Sequence, residues 1–136
     1  DSDSDPSGIQ GICPAGWHLP SVAEWEELFE HLGGQEVAGE KMKARPEMWD
    51  GTNESRFNAR PGGYATYEVY EGEGEVYFYY DLYNSTGFWT SSQSDIEGIS
   101  NNYIQLYTES TTVYINYAWD GEQYYENHYV RCVKDQ

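Results

Sequence analysis

Positive charge is what this chain has least of. Among 136 residues there are 7 Lys and Arg against 24 Asp and Glu, a formal net charge of −17. Such a surface repels nucleic acid and anionic membranes alike, so neither is expected as a partner. Long apolar runs are also missing, which excludes a helical membrane span and direct membrane insertion. The chain has only two cysteines, Cys13 and Cys132. Two cysteines cannot make a metal site alone, and these are far from a C-x-x-C redox spacing. His18, His31 and His128 are not at ligand spacing, so zinc is not expected. There is no nucleophile elbow, no phosphate-binding loop and no dinucleotide fingerprint. The chain therefore reads as non-catalytic.

What is present is aromatic and turn-rich. There are 14 Tyr, 5 Trp and 14 Gly. This composition suits one loop-rich domain with a single core. Five of the seven bases (Lys41, Lys43, Arg45, Arg56 and Arg60) fall within residues 41–60. The acids elsewhere suit solubility in a salty medium or, more sharply, binding of a divalent cation.

The richest stretch runs from Cys13 through Trp17, His18, Leu19 and Pro20 to Trp25. Ser21 and Glu24 form a capping box, so a helix is predicted from Ser21. Val22, Trp25, Leu28, Phe29 and Leu32 give it one apolar stripe. Gly33 and Gly34 supply its stop. A second helix is predicted from Glu36 to Lys43. His18 is expected to bond within its own turn, and His31 to favour the helix dipole.

From Gly62 the period changes to two. Strands are predicted over Tyr64–Tyr70 and Glu75–Tyr83, joined by a Glu71–Gly74 turn. Further strands are predicted at Phe88–Ser92, Tyr103–Thr108, Val113–Tyr117 and Tyr129–Lys134. In the second of these strands, Val76, Phe78, Tyr80 and Leu82 form the expected core face. The outward tyrosines pack across strands or offer a contact surface.

The segment GICPAGWHLPSVAEWEELFEHLGG resembles the opening of the Fibrobacter succinogenes major paralogous domain. The similarity continues through Val37–Lys43, Trp49, Thr52–Ser55, Phe57–Ala59 and Pro61–Tyr64. It returns at Gly87–Ser92 and closes at Tyr129–Asp135. Arg56 stands where the resemblance leads one to expect Gly, and the usual aromatic strand before the Cys-Pro segment is replaced by a polar stretch. The resemblance implies an α+β, C-type-lectin-like fold: two helices packed on a twisted, mainly antiparallel sheet with long loops. Residues 1–10 are then a polar linker or processed N-terminal tail, and residues 11–136 a single domain. The resemblance further implies a Cys13–Cys132 disulfide and a bacterial protein that is extracellular or on the outer-membrane surface. The distantly similar formylglycine-generating enzymes work through a cysteine pair, and that activity is not carried over.

The expected function is a secreted or cell-surface binding module for carbohydrate or surface adhesion. Its expected contact residues are Trp119, Asp120, Glu122, Tyr124, Tyr125 and Asn127 in a loop, with Tyr103 and Tyr107 on the adjoining strand. Rings flanked by Asn, Asp and Gln suit sugars, whose C–H faces stack on them. Calcium-lectin triplets are absent, and Ala118-Trp119-Asp120 only loosely echoes W-N-D. A structural Ca²⁺ at Asp95, Glu97 or Asp120 is the one cofactor candidate. Expected partners are a glycan or a surface protein. Two alternatives stand beside this reading. One is a protein-recognition scaffold of the retroelement-diversified type, suggested by the Tyr, Asn and Asp content of residues 101–127. The other is a subunit of an extracellular assembly or filament, through self-assembly or a strand-donating partner.

Overall fold

The computed structural model describes residues 2–94, 96–97, 99–121 and 124–136, with the backbone alone at 99, 100, 120 and 121. Helix α1 spans Val22–His31 and begins where the capping box requires. Ser21 Oγ accepts the Glu24 amide at 3.2 Å, and the Glu24 carboxylate accepts the Ser21 amide at 3.0 Å. These bonds satisfy two donors that an uncapped helix leaves open. Gly33 and Gly34 follow at φ 106° and 110°, and the Gly34 amide closes the last turn on Phe29 O at 2.8 Å. Helix α2 spans Gln35–Met42 and buries Ala38, Gly39 and Met42.

Eight strands follow the chain as β1 (Trp17–His18), β2 (Tyr64–Tyr70), β3 (Gly74–Tyr80), β4 (Ser85–Gln93), β5 (Ile99–Tyr107), β6 (Tyr114–Gly121), β7 (Tyr124–Asn127) and β8 (Val133–Lys134). Six of them lie in the order β3-β2-β7-β6-β5-β4, all neighbours antiparallel. The two halves of this sheet join where Asp120 pairs with Tyr125 and Gly121 with Tyr124. The remaining pair, β1 and β8, ties the two ends of the chain together, and the Cys13–Cys132 disulfide bridges the same region across 119 residues of sequence. Closing so long a loop stabilises the fold by about 5 kcal/mol in the chain-entropy model. The architecture is α+β, with two helices and antiparallel sheet.

The core lies between the helices and the β4–β5 half of the sheet. Trp25 and Phe29 of α1 and Met42 of α2 meet Trp49, Phe88, Ile104, Leu106 and Val113. Each large apolar side chain buried there contributes roughly 1.5–3 kcal/mol. Lys43, just past α2, is the unusual member of this interior. It is 2% exposed, donates to the carbonyls of Tyr107 and Ser110 at 2.9 Å each, and pairs with Asp50 at 2.7 Å.

Several local expectations are corrected. The predicted core face of β3 does not reach the core: Val76 is half-buried, and Phe78, Tyr80 and Leu82 are exposed. Alternation fixes which side chains share a face, but the core cluster gathers α1, α2, β4 and β5 with the segments between them and takes in no residue of β3. The last predicted strand shrinks to β8, with Tyr129 making only an isolated bridge to Phe88. The stretch 1–10, expected as a polar linker or processed tail, makes hydrogen bonds to the rest of the chain from Asp3, Ser4 and Ser7, which leave that expectation open. The Ser7 hydroxyl is buried and donates to Leu19 O, Ser21 Oγ donates to Ser4 O, and Ser92 Oγ donates to Asp3. Arg56 sits at φ 61°, the left-handed region that explains why Gly is expected there.

His18 is bonded differently from its expectation. Its Nδ1 lies 2.6 Å from Asp135 and its Nε2 lies 2.6 Å from Glu24. Glu24 thus serves the helix cap, the Ser7 amide and the imidazole at once.

Candidate functional site

Phe88 faces the core, so by strand alternation Trp89 faces the opposite side of the sheet. There it opens a groove of about 500 Å³, also lined by Asn101, Trp119, Tyr125, Glu126 and His128. Two irregularities in strand register shape this groove. One lies on β4 between Trp89 and Gln93, the other on β5 between Ile99 and Asn102. Bulges re-aim side chains and interrupt pairing. Asn101, which belongs to β5, fastens the first irregularity by donating to Thr90 O at 3.0 Å.

His128 forms the floor. Its ring lies parallel to Tyr103 at 3.8 Å between centroids and meets the edge of Trp89 at 4.9 Å. Tyr64 continues the row at 5.7 Å, and Tyr80 stacks on Tyr64 at 5.3 Å. His128 Nε2 lies 3.0 Å from Glu126, while Nδ1 is buried without a hydrogen-bond partner among the described residues. Beneath it is Gly87, where a Cβ would stand 2.4 Å from Nδ1.

Behind the floor runs a polar network. Asn116 and the Tyr107 hydroxyl both donate to Gln105 Oε1 at 2.6 Å. Burial, reinforced by Glu126, pushes the Tyr103 phenol up, against the lowering effect of a hydrogen bond with Asn116. Tyr103 therefore stays a neutral ring at every physiological pH.

The expected contact residues are divided by this geometry. Trp119, 57% exposed, and Tyr125, 42% exposed, both line the groove. Tyr103 lies under His128 and is half-buried. Tyr107 packs against Tyr114 further along the sheet, at 5.4 Å, away from the groove. Tyr124 is half-buried beside Glu68 of β2, and Asn127 is exposed opposite Ala65. Glu122 lies outside the described residues, and so does the side chain of Asp120. Of the expected loop from Trp119 to Asn127, residues 119–121 are instead the end of β6 and 124–127 are β7, where Trp and Tyr residues suit strand pairing, and Gln123 lies with Glu122 outside the described residues.

Sequence reading missed Trp89, Asn101 and His128, and placed Glu126 in the candidate segment without naming it as a contact. Period-two alternation from Phe88 was the available signal for Trp89. Nothing local marks His128, whose place depends on Tyr103 and Gly87. Of the calcium candidates, Glu97 is exposed, and Asp95 lies outside the described residues. Among the described residues, no three His, Cys, Asp or Glu side chains are grouped to hold a metal ion.

No curated protein and no solved structure matches this chain. A family model does: that of the Fibrobacter succinogenes major domain, over residues 4–134. The chain belongs to the Fibrobacter succinogenes major domain family.

Proposed function

We propose that this is a non-catalytic binding module of C-type-lectin-like fold, secreted or held at a bacterial surface, that takes carbohydrate in the Trp89–Trp119–Tyr125 groove. The observation that carries this reading is the lining itself: Trp89, Trp119 and Tyr125, with the aliphatic Ile12, Leu19 and Val130, around the polar groups of Thr90, Asn101, Glu126 and His128. Pockets walled by apolar and aromatic side chains with a few fixed polar groups are the usual form of small-ligand sites. A sugar C–H face stacks on an exposed ring, while its hydroxyls donate to the carboxylate. One Glu126 oxygen holds His128, and a carboxylate has acceptor capacity beyond that single bond. The tie between chain ends through β1, β8 and the disulfide supports the lectin-like fold. The disulfide is also compatible with an oxidising compartment.

The test is affinity electrophoresis and calorimetry on neutral polysaccharides, with calcium and with chelator. Trp119→Ala or Tyr125→Ala is expected to weaken binding by at least about tenfold, as loss of an aromatic anchor does. Chelator is expected to change nothing. Polysaccharide binding that survives both substitutions overturns the site, and an absence of glycan binding by the unaltered protein overturns the function.

A further inference from the structure

The two edges of the six-stranded sheet are treated differently. The outer side of β4 is covered by chain: the Gly63 amide donates to Ser85 O at 2.7 Å, the Trp89 amide to Tyr129 O at 2.9 Å, and the Ser91 amide to Pro20 O at 2.9 Å. β3, at the other end, pairs with β2 alone among the described residues.

Proteins usually blunt such an edge with Lys, Pro or a bulge. β3 has none of these, and its one charged residue is Glu75. Its sequence is Gly-Glu-Val-Tyr-Phe-Tyr-Tyr, and its register with β2 runs without interruption from Tyr64 opposite Tyr80 to Tyr70 opposite Gly74. Tyr77 is 56% exposed and Tyr79 80% exposed, so the aromatic rows flank the edge in solvent.

Charge says what could fit there. Residues 64–83 hold Glu68, Glu71, Glu73, Glu75 and Asp81, with no Lys, Arg or His. A second copy of the chain would bring this acidic hairpin, and a net charge of −17, against its like. A cationic segment gains from the same field, and tyrosine faces attract cations further.

We propose that β3 accepts an added strand from an extended, cationic segment of another protein. Alternate side chains of that strand would fall on opposite faces. Those beside Glu75, Tyr77 and Tyr79 would be Lys or Arg, and those beside Val76, Phe78 and Tyr80 would be apolar. Main-chain bonds to the open edge supply affinity, and the two faces supply selectivity. No residue of β3 lines the carbohydrate groove, although Tyr80 ends the row of rings that leads through Tyr64 from His128.

The test uses three synthetic peptides matched to the seven residues of β3. One alternates Lys with Val, one alternates Glu with Val, and the third is the Lys peptide with two Val replaced by Pro. Affinity is read by fluorescence anisotropy on the intact protein, and contact by amide hydrogen exchange. The Lys-Val peptide is expected to bind at least about tenfold tighter than either control and to slow exchange across residues 74–80. Tyr77→Lys with Tyr79→Lys is expected to remove that advantage. Equal binding of the Pro peptide, or unchanged exchange in β3, overturns strand addition. Protection of β3 that grows with protein concentration in the absence of peptide also overturns it, in favour of a second copy.

Discussion

His128 rests on Gly87 with no room for a side chain between them. A Cβ at position 87 would stand 2.4 Å from His128 Nδ1, far inside any real contact. The imidazole can lie flat on Tyr103, at 3.8 Å, only because that carbon is missing. The groove floor is therefore specified by a glycine on β4 and a tyrosine on β5 together.

Gly87→Ala is accordingly expected to push the imidazole off its platform. Overpacking of this kind costs about 1–3 kcal/mol. Denaturant unfolding should show that loss, and glycan binding should weaken with it. The decisive measurement is a cycle with His128→Ala. If the two substitutions act through one contact, the double variant loses clearly less than the sum of the single losses. Additive losses would mean that Gly87 matters for some other reason.

His18 gives the fold a pH dependence whose sign follows from its partners. Burial disfavours the charged ring, but hydrogen bonds and the charges of Glu24 and Asp135 outweigh it, and its pKa is raised above 6.5. A raised folded-state pKa contributes stability that is complete below the unfolded value and lost as pH rises through the folded one. Stability is thus expected to decline from about pH 6.5 upward. His18→Gln should flatten that decline in urea titrations at stepped pH. An unchanged slope in the variant would assign the dependence to another group.

The α1 start, the β2–β3 hairpin and the family were legible in the sequence because each is a local signal. Ser21 and Glu24 lie three residues apart, and the Glu71–Gly74 turn sits between two alternating runs. What the sequence could not show is which faces acquire a neighbour. Val76, Phe78 and Tyr80 alternate as well as Phe88 and Thr90 do, yet Phe88 joins the core cluster and none of those three does. The groove was half legible. Trp119 and Tyr125 could be picked out as exposed aromatics near a turn. Alternation from Phe88 marks only the face of Trp89, and it and His128 reach the groove through long-range pairing that one sequence does not encode locally.

Lys43 is the buried charge on which the α2 end depends. Its ammonium satisfies two carbonyls and Asp50, and it lies 5.4 Å above the Trp49 ring. Lys43→Met keeps the volume and removes every one of those bonds. Breaking a buried pair from one side costs about 3–5 kcal/mol, and the partial exposure of Asp50 places this variant near the lower limit. Burial works against the Asp50 charge, but Lys43 and the Glu109 amide outweigh it and hold the carboxyl below 3.8. Its contribution is therefore present above that pH and lost as pH falls further. The unaltered protein should lose this increment in acid, and Lys43→Met should have little left to lose. Equal acid sensitivity in both proteins would contradict the pairing.

Arg56 offers the opposite kind of variant, one expected to stabilise. It is exposed, at φ 61°, in the turn where its amide donates to Asn53 O at 3.0 Å. A left-handed conformation costs a residue with a Cβ about 1–2 kcal/mol, and Gly escapes that cost while losing more chain entropy on folding. The balance favours Arg56→Gly by about 0.5–1 kcal/mol. Its cation does not line the groove proposed for carbohydrate, so any glycan affinity should stay as it was. A thermal melt showing lower stability would mean that the Arg56 side chain makes a stabilising contact outweighing its backbone strain.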